Sequence, residues 1–194
     1  AVKSMGRPTI SAIIEERTNN GEFHSMQDFI TRMAGVINKR TVEHLIFAGA
    51  FDTFGHTRRG MLNVYERMMD SAVKQNKDAI SGQMSLFDLV SEEDKQSLEM
   101  KIPDISEFEK EDLLEREKEV LGVYVTGHPL DEYTGMWEKH VSARSTDFLI
   151  DEETGETKAA DSTKQTIGGL VRNIKVNTTK TGQQMAYLTI EDFV

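Results

Sequence analysis

Two short segments near the start of the chain place glycine beside basic residues, a combination suited to binding phosphate. Residues 4–7 read Ser-Met-Gly-Arg, and residues 35–40 read Gly-Val-Ile-Asn-Lys-Arg. A turn that leads directly into a helix leaves backbone N–H groups free, and the positive end of the helix dipole lies at the same place. Such groups are suited to binding anions such as phosphate. The residues of these two turns are Ser4, Met5, Gly6, Arg7, Gly35, Val36, Ile37, Asn38, Lys39 and Arg40.

Helices are predicted to follow both turns. Gly6 is expected to adopt a positive φ, and Pro8 suits the first turn of a helix with apolar residues at i, i+3 and i+4. Ser25 is expected to cap the next helix, Asn38 to cap a further one or to take the left-handed region, and Gly49 to end it. The residues assigned to the inner faces are Ile10, Ile13, Ile14, Met26, Phe29, Ile30, Met33, Val42, Leu45 and Ile46.

The remaining reactive residue types show no spacing that predicts catalysis. There is no cysteine, so thiolate nucleophiles and thiolate metal ligands are excluded. The five histidines show no H-x-x-x-H spacing, and no aspartate cluster resembles one that holds Mg²⁺ around a triphosphate. His128 lies between Gly127 and Pro129 and is interpreted as part of a helix end. We therefore predict no catalytic residue and no metal site.

A third segment, residues 82–88, reads Gly-Gln-Met-Ser-Leu-Phe-Asp and has the character of a docking peptide. Leu86 and Phe87 are adjacent apolar side chains whose burial on a partner is worth about 3–6 kcal/mol. The alternative is that Ser85 caps a short helix and these two side chains pack inward with Leu89 and Val90. The predicted docking residues are Gln83, Met84, Ser85, Leu86 and Phe87.

Composition describes a folded, acidic chain. Of 194 residues, 38% are hydrophobic and 29% charged, and the net charge is −10. Residues 1–67 nevertheless carry 9 Lys and Arg against 7 Asp and Glu, so the slight basic excess lies with the two turns. The acidic run over 88–119 is interpreted as a solvated linker and helix face. No apolar run is long enough to span a membrane, and we expect a cytoplasmic location without membrane contact.

The second half changes from helical to strand-like patterns. Helical periodicity covers residues 105–125 and is expected to end at 127–129, and strand-like alternation covers 166–176 and 185–190 around a turn. The fold class is therefore mainly α, with a small C-terminal antiparallel β segment. Because the chain lacks an initial methionine and ends within a strand-like pattern, we expect it to be a piece of a longer protein.

These motifs, in this order, resemble bacterial C-family DNA polymerases, the DNA polymerase III alpha subunits. Two turn-and-helix units resemble a tandem helix-hairpin-helix module, although Ser4 and Asn38 stand where that module has glycine. The resemblance implies that the residues of both turns, 4–7 and 35–40, bind the phosphates of DNA without reading its sequence. Gln83 to Phe87 resembles the Gln-x-x-Leu-Phe motif that binds the sliding clamp. Further similar words are Asn-Lys-Arg at 38–40, Ala-Gly-Ala-Phe-Asp at 48–52 and Gly-His-Pro-Leu-Asp at 127–131.

The resemblance implies a division of the chain and a set of partners. It implies a DNA-binding domain over 1–78, a loop with the clamp motif over 79–103, connecting helices over 104–142, and a polar loop with the first strands of a truncated OB-fold over 143–194. The implied partners are duplex DNA, the sliding clamp and single-stranded DNA, with Mg²⁺ needed only by the catalytic part of such a polymerase. The residues assigned to single-stranded DNA are Arg172, Lys175, Lys180 and Tyr187.

Two other classes of protein remain open at this point. A helix-hairpin-helix repair glycosylase or nuclease would need a catalytic lysine or aspartate just past a hairpin, and Lys3 and Asp52 are the nearby candidates. A non-catalytic adaptor bound to the clamp would carry the same modules.

Overall fold

The computed structural model describes residues 2–80 and 100–193, without the side chains of 78–80. Helices α1 to α6 span Arg7–Asn20, Met26–Met33, Lys39–Phe47, Arg58–Ile80, Lys110–Leu121 and Thr134–His140, and strands β1 (Leu170–Thr178) and β2 (Gln184–Glu191) pair antiparallel. Short 3-10 turns lie at Asp52–Phe54, Asp131–Tyr133 and Ser145–Phe148. The predicted fold class, mainly α with a small C-terminal β segment, is thus confirmed.

The chain divides into two compact units, Ala1–Val125 and Thr126–Val194. The predicted domain limits at residues 78, 103 and 142 stay predictions. No helix among the described residues is both long and apolar enough to cross a membrane.

The core of the N-terminal unit forms between α2, α3 and α4. As predicted, the Ser25 hydroxyl caps α2 by accepting the Asp28 N–H at 3.1 Å. The apolar faces of these three helices pack against one another. The residues that form this core are Met26, Phe29, Ile30, Met33, Ala34, Ile37, Val42, Leu45, Ile46, Phe51, Met61, Val64, Tyr65, Met68, Met69 and Ala72.

Helix α1 differs from the amphipathic helix that the sequence predicts, because none of its residues is buried. Ile10 and Ile14 are 37% and 50% exposed, whereas Ile13, also assigned to the inner face, is partly buried against the core. The helix is held partly by Arg32 of α2, whose Nε donates to Glu16 at 2.8 Å and whose NH2 group donates to the Gly21 carbonyl at 3.0 Å. The hydrogen bond from Arg32 lowers the pKa of the Glu16 carboxyl.

Helix α5 is shorter than the predicted 105–125 segment, and it packs on the N-terminal unit. It begins at Lys110 and ends at Gly122, whose φ of 79° forms a left-handed C-cap, so the predicted stop at 127–129 is wrong. The extended residues before α5 also contact α4, where the Glu107 carboxylate accepts the Arg58 N–H at 2.7 Å. Residues just before α5 therefore contact α4 within the N-terminal unit.

The C-terminal unit carries its own small set of contacts. Asp192 is 6% exposed, and its carboxylate accepts the backbone N–H and the hydroxyl of Ser145 at 2.7 and 2.9 Å. The His128 ring accepts the Leu130 N–H at 3.1 Å. Its interpretation as part of a helix end is wrong, because the preceding helix has already ended at Leu121.

The β hairpin has one polar and one apolar face, and both are open to solvent. Its register places Lys175 opposite Tyr187 on one face and Ile174 opposite Leu188 on the other. The apolar side chains of the second face are between 39% and 59% exposed: Val171, Ile174, Val176, Leu188 and Ile190. Two strands without a covering layer have little independent stability.

Hydrogen exchange is expected to separate this hairpin from the helical core. Amides over 166–193 should exchange much faster than those of α3, because opening the hairpin exposes little apolar surface that is not already exposed. Both regions are measured in one monomeric sample, with α3 as the internal reference. Equal protection of hairpin and helix in that sample would refute the expectation.

Candidate nucleic-acid interface

The second hairpin, residues 34–38, is a turn with an exposed tip, anchored by the buried residues Ala34 and Ile37. Ile37 is 6% exposed and lies in the core, whereas Val36 is 49% exposed. The turn closes on Met33, whose carbonyl accepts the Val36 N–H at 2.8 Å and the Ile37 N–H at 3.1 Å. The anchor leaves the tip of the turn at the surface, directly before α3.

Asn38 begins α3 as a cap and not in the left-handed region. Its φ is −120°, and its side-chain oxygen accepts the Thr41 N–H at 2.9 Å. Of the first N–H groups of α3, those of Lys39 and Arg40 precede the first intrahelical hydrogen bond, which Val42 donates to the Asn38 carbonyl. Backbone donors and the helix dipole therefore meet at an exposed point, as phosphate binding requires.

Lys39, one of two basic residues at this hairpin, already has carboxylate partners. Lys39 Nζ lies 2.9 Å from an Asp70 carboxylate oxygen and 3.7 Å from one of Glu66. The hydrogen bond to Asp70 is the largest cause that raises the pKa of Lys39. A phosphate must compete with these carboxylates for Lys39, whereas Arg40 is exposed on the same helical turn.

The first hairpin, residues 2–6, also leads into a helix N-terminus, but its backbone has a different conformation. Ser4, not Gly6, carries the positive φ: the values are 68° and −81°. The prediction for Gly6 is therefore wrong, and serine takes the left-handed conformation that glycine adopts most easily. Gly6 is the N-cap of α1, and Pro8 removes one donor from the first turn, so the Arg7 and Thr9 amides remain.

An ion-pair network that sequence reasoning missed supports the hairpins. Arg58 is 3% exposed, and its guanidinium donates to the Asp52 carboxylate from both Nε and NH2, and to Glu117 at 2.8 Å. Glu117 is fully buried, and its other oxygen accepts the Val125 N–H at 2.7 Å. The interpretation of the acidic run as a solvated surface is thus wrong at Glu117. Its position three residues from both Leu114 and Val120, on the apolar stripe of α5, is the signal that could have revealed it.

This network also explains the turn after α3. Gly49 has a φ of 75°, and a Cβ added there would lie 2.3 Å from an Arg58 terminal nitrogen. Glycine is required both for the backbone conformation and for the approach of the guanidinium. Asp52 is committed to Arg58, so it is a structural carboxylate in this fold.

The four residues predicted to bind single-stranded DNA lie on the β hairpin but differ in their surroundings. Lys175 and Tyr187 are cross-strand neighbours on the polar face. Arg172 is paired with the Glu191 carboxylate, and Lys180 lies in the turn between the strands. Of the four residues, only Lys175 and Tyr187 are placed side by side by the strand register.

The predicted docking residues 83–87 lie outside the described residues. Among the residues that the structure describes, no group of three or more His, Asp or Glu could hold a metal ion.

Residues 2–61 carry turn geometry, caps and a helix order that are typical of the helix-hairpin-helix motif, and a model of that motif matches residues 1–61. Within the described residues, the second helix-hairpin-helix repeat shows both of its helices, α2 and α3. The first repeat shows its hairpin and its second helix, α1.

Three curated relatives are each named DNA polymerase III subunit alpha. The protein of Vibrio cholerae serotype O1 is 33% identical over 99% of this chain, and that of Escherichia coli strain K12 is 31% identical over 99%. The protein of Chlamydia pneumoniae is 39% identical over 68% of the chain. The chain belongs, over the aligned residues, to the DNA polymerase III alpha subunit family, and the predicted resemblance is confirmed. It spans 16% of the length of the first two relatives and 11% of the third.

Proposed function

We propose that this chain is a DNA-binding region of a bacterial replicative polymerase and that it holds duplex DNA through backbone phosphates. The observation that carries the proposal is the presence of two exposed hairpins, each opening onto a helix N-terminus of one compact unit. Binding through amides and a helix dipole depends on the shape of the backbone and not on the base sequence. The relatives named as polymerase subunits support replication over the repair and adaptor classes.

The chemistry of nucleotide transfer is proposed to lie outside this chain. In such a polymerase Mg²⁺ would serve the catalytic part, and the residues of this chain would position duplex DNA. The described side chains support this division, since Asp52, a carboxylate near a hairpin, is paired with Arg58.

The proposal includes two further partners. Gln83 to Phe87 is proposed to bind the sliding clamp, which would keep the polymerase on the template between nucleotide additions. Lys175 and Tyr187 are proposed to contact single-stranded DNA, because a cation and an aromatic ring on one face of the hairpin suit a phosphate and a stacked base. The clamp proposal rests on residue type and sequence position.

Reversing the charge of Lys39 and Arg40 is expected to abolish most duplex binding. The Lys39→Glu, Arg40→Glu variant places two carboxylates at the start of α3, where they repel phosphate and neutralise the attraction of the helix dipole for it. Affinity should fall by at least about tenfold, equal to roughly 1.4 kcal/mol. A fluorescence anisotropy titration with a labelled duplex of arbitrary sequence measures the change.

The matched control is Lys101→Glu, Lys164→Glu, which changes the net charge equally at two exposed positions outside the predicted sites. It should retain most of the affinity. Wild-type affinity should be independent of base sequence and should fall as salt rises. Unchanged binding by the Lys39, Arg40 variant would place the duplex elsewhere on the chain.

A further inference from the structure

We propose that His44 is a positioning residue that fixes the spacing of the first and second hairpins, so that both can hold phosphates of one duplex at the same time. This inference rests on the proposed function.

His44 connects the two hairpins directly. It lies on α3, the helix that begins at the second hairpin, and the residue is 5% exposed. Its Nδ1 lies 2.7 Å from the carbonyl oxygen of Lys3 in the first hairpin, 41 residues away in sequence. Because a carbonyl only accepts, Nδ1 carries the proton and donates this hydrogen bond. A rigid helix thus joins one phosphate-binding turn to the backbone of the other.

The backbone of Lys3 is held from a second side by α5. The Lys3 N–H donates to the Val120 carbonyl at 2.7 Å. Helix α5 is itself fixed by the buried pair of Glu117 and Arg58. The backbone at Lys3 is therefore held by two helices, and these contacts do not depend on the lysine side chain.

The strained residue that follows shows why this double attachment matters. Ser4 has a φ of 68°. A residue other than glycine keeps such a conformation only where neighbouring contacts determine the backbone on both sides. Removing the hydrogen bond from His44 frees the carbonyl of Lys3, the residue before Ser4. Ser4 can then relax to a negative φ. The amides of the first hairpin and Arg7 would then no longer face a phosphate at a fixed distance from the second hairpin.

Variable spacing has a specific thermodynamic result. With both hairpins fixed, the second phosphate contact forms within a complex that already exists and gains from a high effective concentration. With the first hairpin free, that contact must also order the turn. Overall affinity and the number of phosphates neutralised should therefore fall together, while the second hairpin keeps its own contact.

Two nearly isosteric variants of the 194-residue chain test the inference. Asparagine places an amide N–H near the position of Nδ1, whereas leucine places a methyl group there. His44→Leu should weaken duplex binding about tenfold, as expected when one hydrogen bond is removed. It should also reduce the log–log salt slope by about 0.9 for each phosphate that is no longer neutralised. His44→Asn should restore both quantities toward wild type. If His44→Leu is not folded at the assay temperature, as judged by circular dichroism, His44→Met replaces it, since methionine adapts to irregular spaces.

A double-mutant cycle with Arg7→Glu separates positioning from general stability. In that background the first hairpin already contributes little, so His44→Leu should cause no further loss. An equal tenfold loss in both backgrounds would overturn the inference, and so would a wild-type affinity and salt slope for His44→Leu. If the wild-type chain itself does not bind duplex DNA, the proposed function fails instead. Nitrogen-15 spectra of the neutral His44 ring should show the proton on Nδ1, and a proton on Nε2 would contradict the hydrogen bond.

Discussion

Glu117→Ala is expected to lower the free energy of unfolding of the N-terminal unit by about 3–5 kcal/mol, the usual cost of removing one partner from a buried ion pair. The carboxylate is fully buried and holds the Arg58 guanidinium at 2.8 Å. Without it, a buried cation keeps, among the described residues, the half-exposed Asp52 carboxylate and one backbone carbonyl. The Val125 N–H loses its acceptor in the same substitution.

The matched control lies two residues further along the same helix. Glu119 pairs with Lys3 at 3.3 Å, but both side chains are largely exposed. Glu119→Ala should therefore cost less than about 1 kcal/mol. Urea unfolding followed by circular dichroism at the helical signal gives both values. The single tryptophan, Trp137, lies in the C-terminal unit and reports separately on that unit. Similar small losses for both variants would contradict a structural role for the buried pair.

Leu86→Ala with Phe87→Ala is expected to abolish clamp binding while leaving the melting temperature almost unchanged. If these side chains fill a pocket of the clamp, losing most of about 3–6 kcal/mol of burial weakens binding by roughly a hundredfold or more. If they belong instead to the core of this chain, truncating both should cost roughly 5 kcal/mol or more of folding stability. The two interpretations thus require opposite results from one variant.

Calorimetric titration with purified sliding clamp, together with thermal melting, distinguishes them. The control is Leu89→Ala with Val90→Ala, an adjacent apolar pair outside the five-residue motif. It should bind the clamp within a few-fold of wild type. A large drop in melting temperature for the Leu86, Phe87 variant, with clamp affinity preserved in the folded fraction, would show that the clamp proposal is wrong.

Sequence reasoning succeeded where structure depends on neighbours along the chain. Ser25 caps α2 because a hydroxyl before an apolar helix can reach an N–H three residues on, and this requires no knowledge of the rest of the fold. The turn between β1 and β2 was likewise predictable from Gly182, whose φ is 81°. The motif order over the whole chain was sufficient to indicate the family.

It failed where distant parts of the chain meet. The charge of Glu117 predicted solvent exposure, but its partner Arg58 is 59 residues away and no local pattern joins them. Gly6 was a reasonable choice for the residue with a positive φ. Ser4 has that conformation instead, and it directly follows Lys3, whose backbone makes two long-range hydrogen bonds. For the candidate site, the two hairpins were predictable, whereas the ion pairs of Lys39 and the hydrogen bond of His44 to Lys3 required the tertiary structure.

If Lys39 contacts a phosphate as proposed, its pairing with Asp70 affects how many ions the complex exchanges with the solution. When a free lysine reaches DNA, cations condensed on the duplex are released, and this release produces the salt dependence. When Lys39 leaves Asp70 for a phosphate, the abandoned carboxylate attracts a cation from solution, which offsets part of that release. The measured salt slope should therefore undercount the phosphates held at the second hairpin, whereas exposed Arg7 contributes its full share.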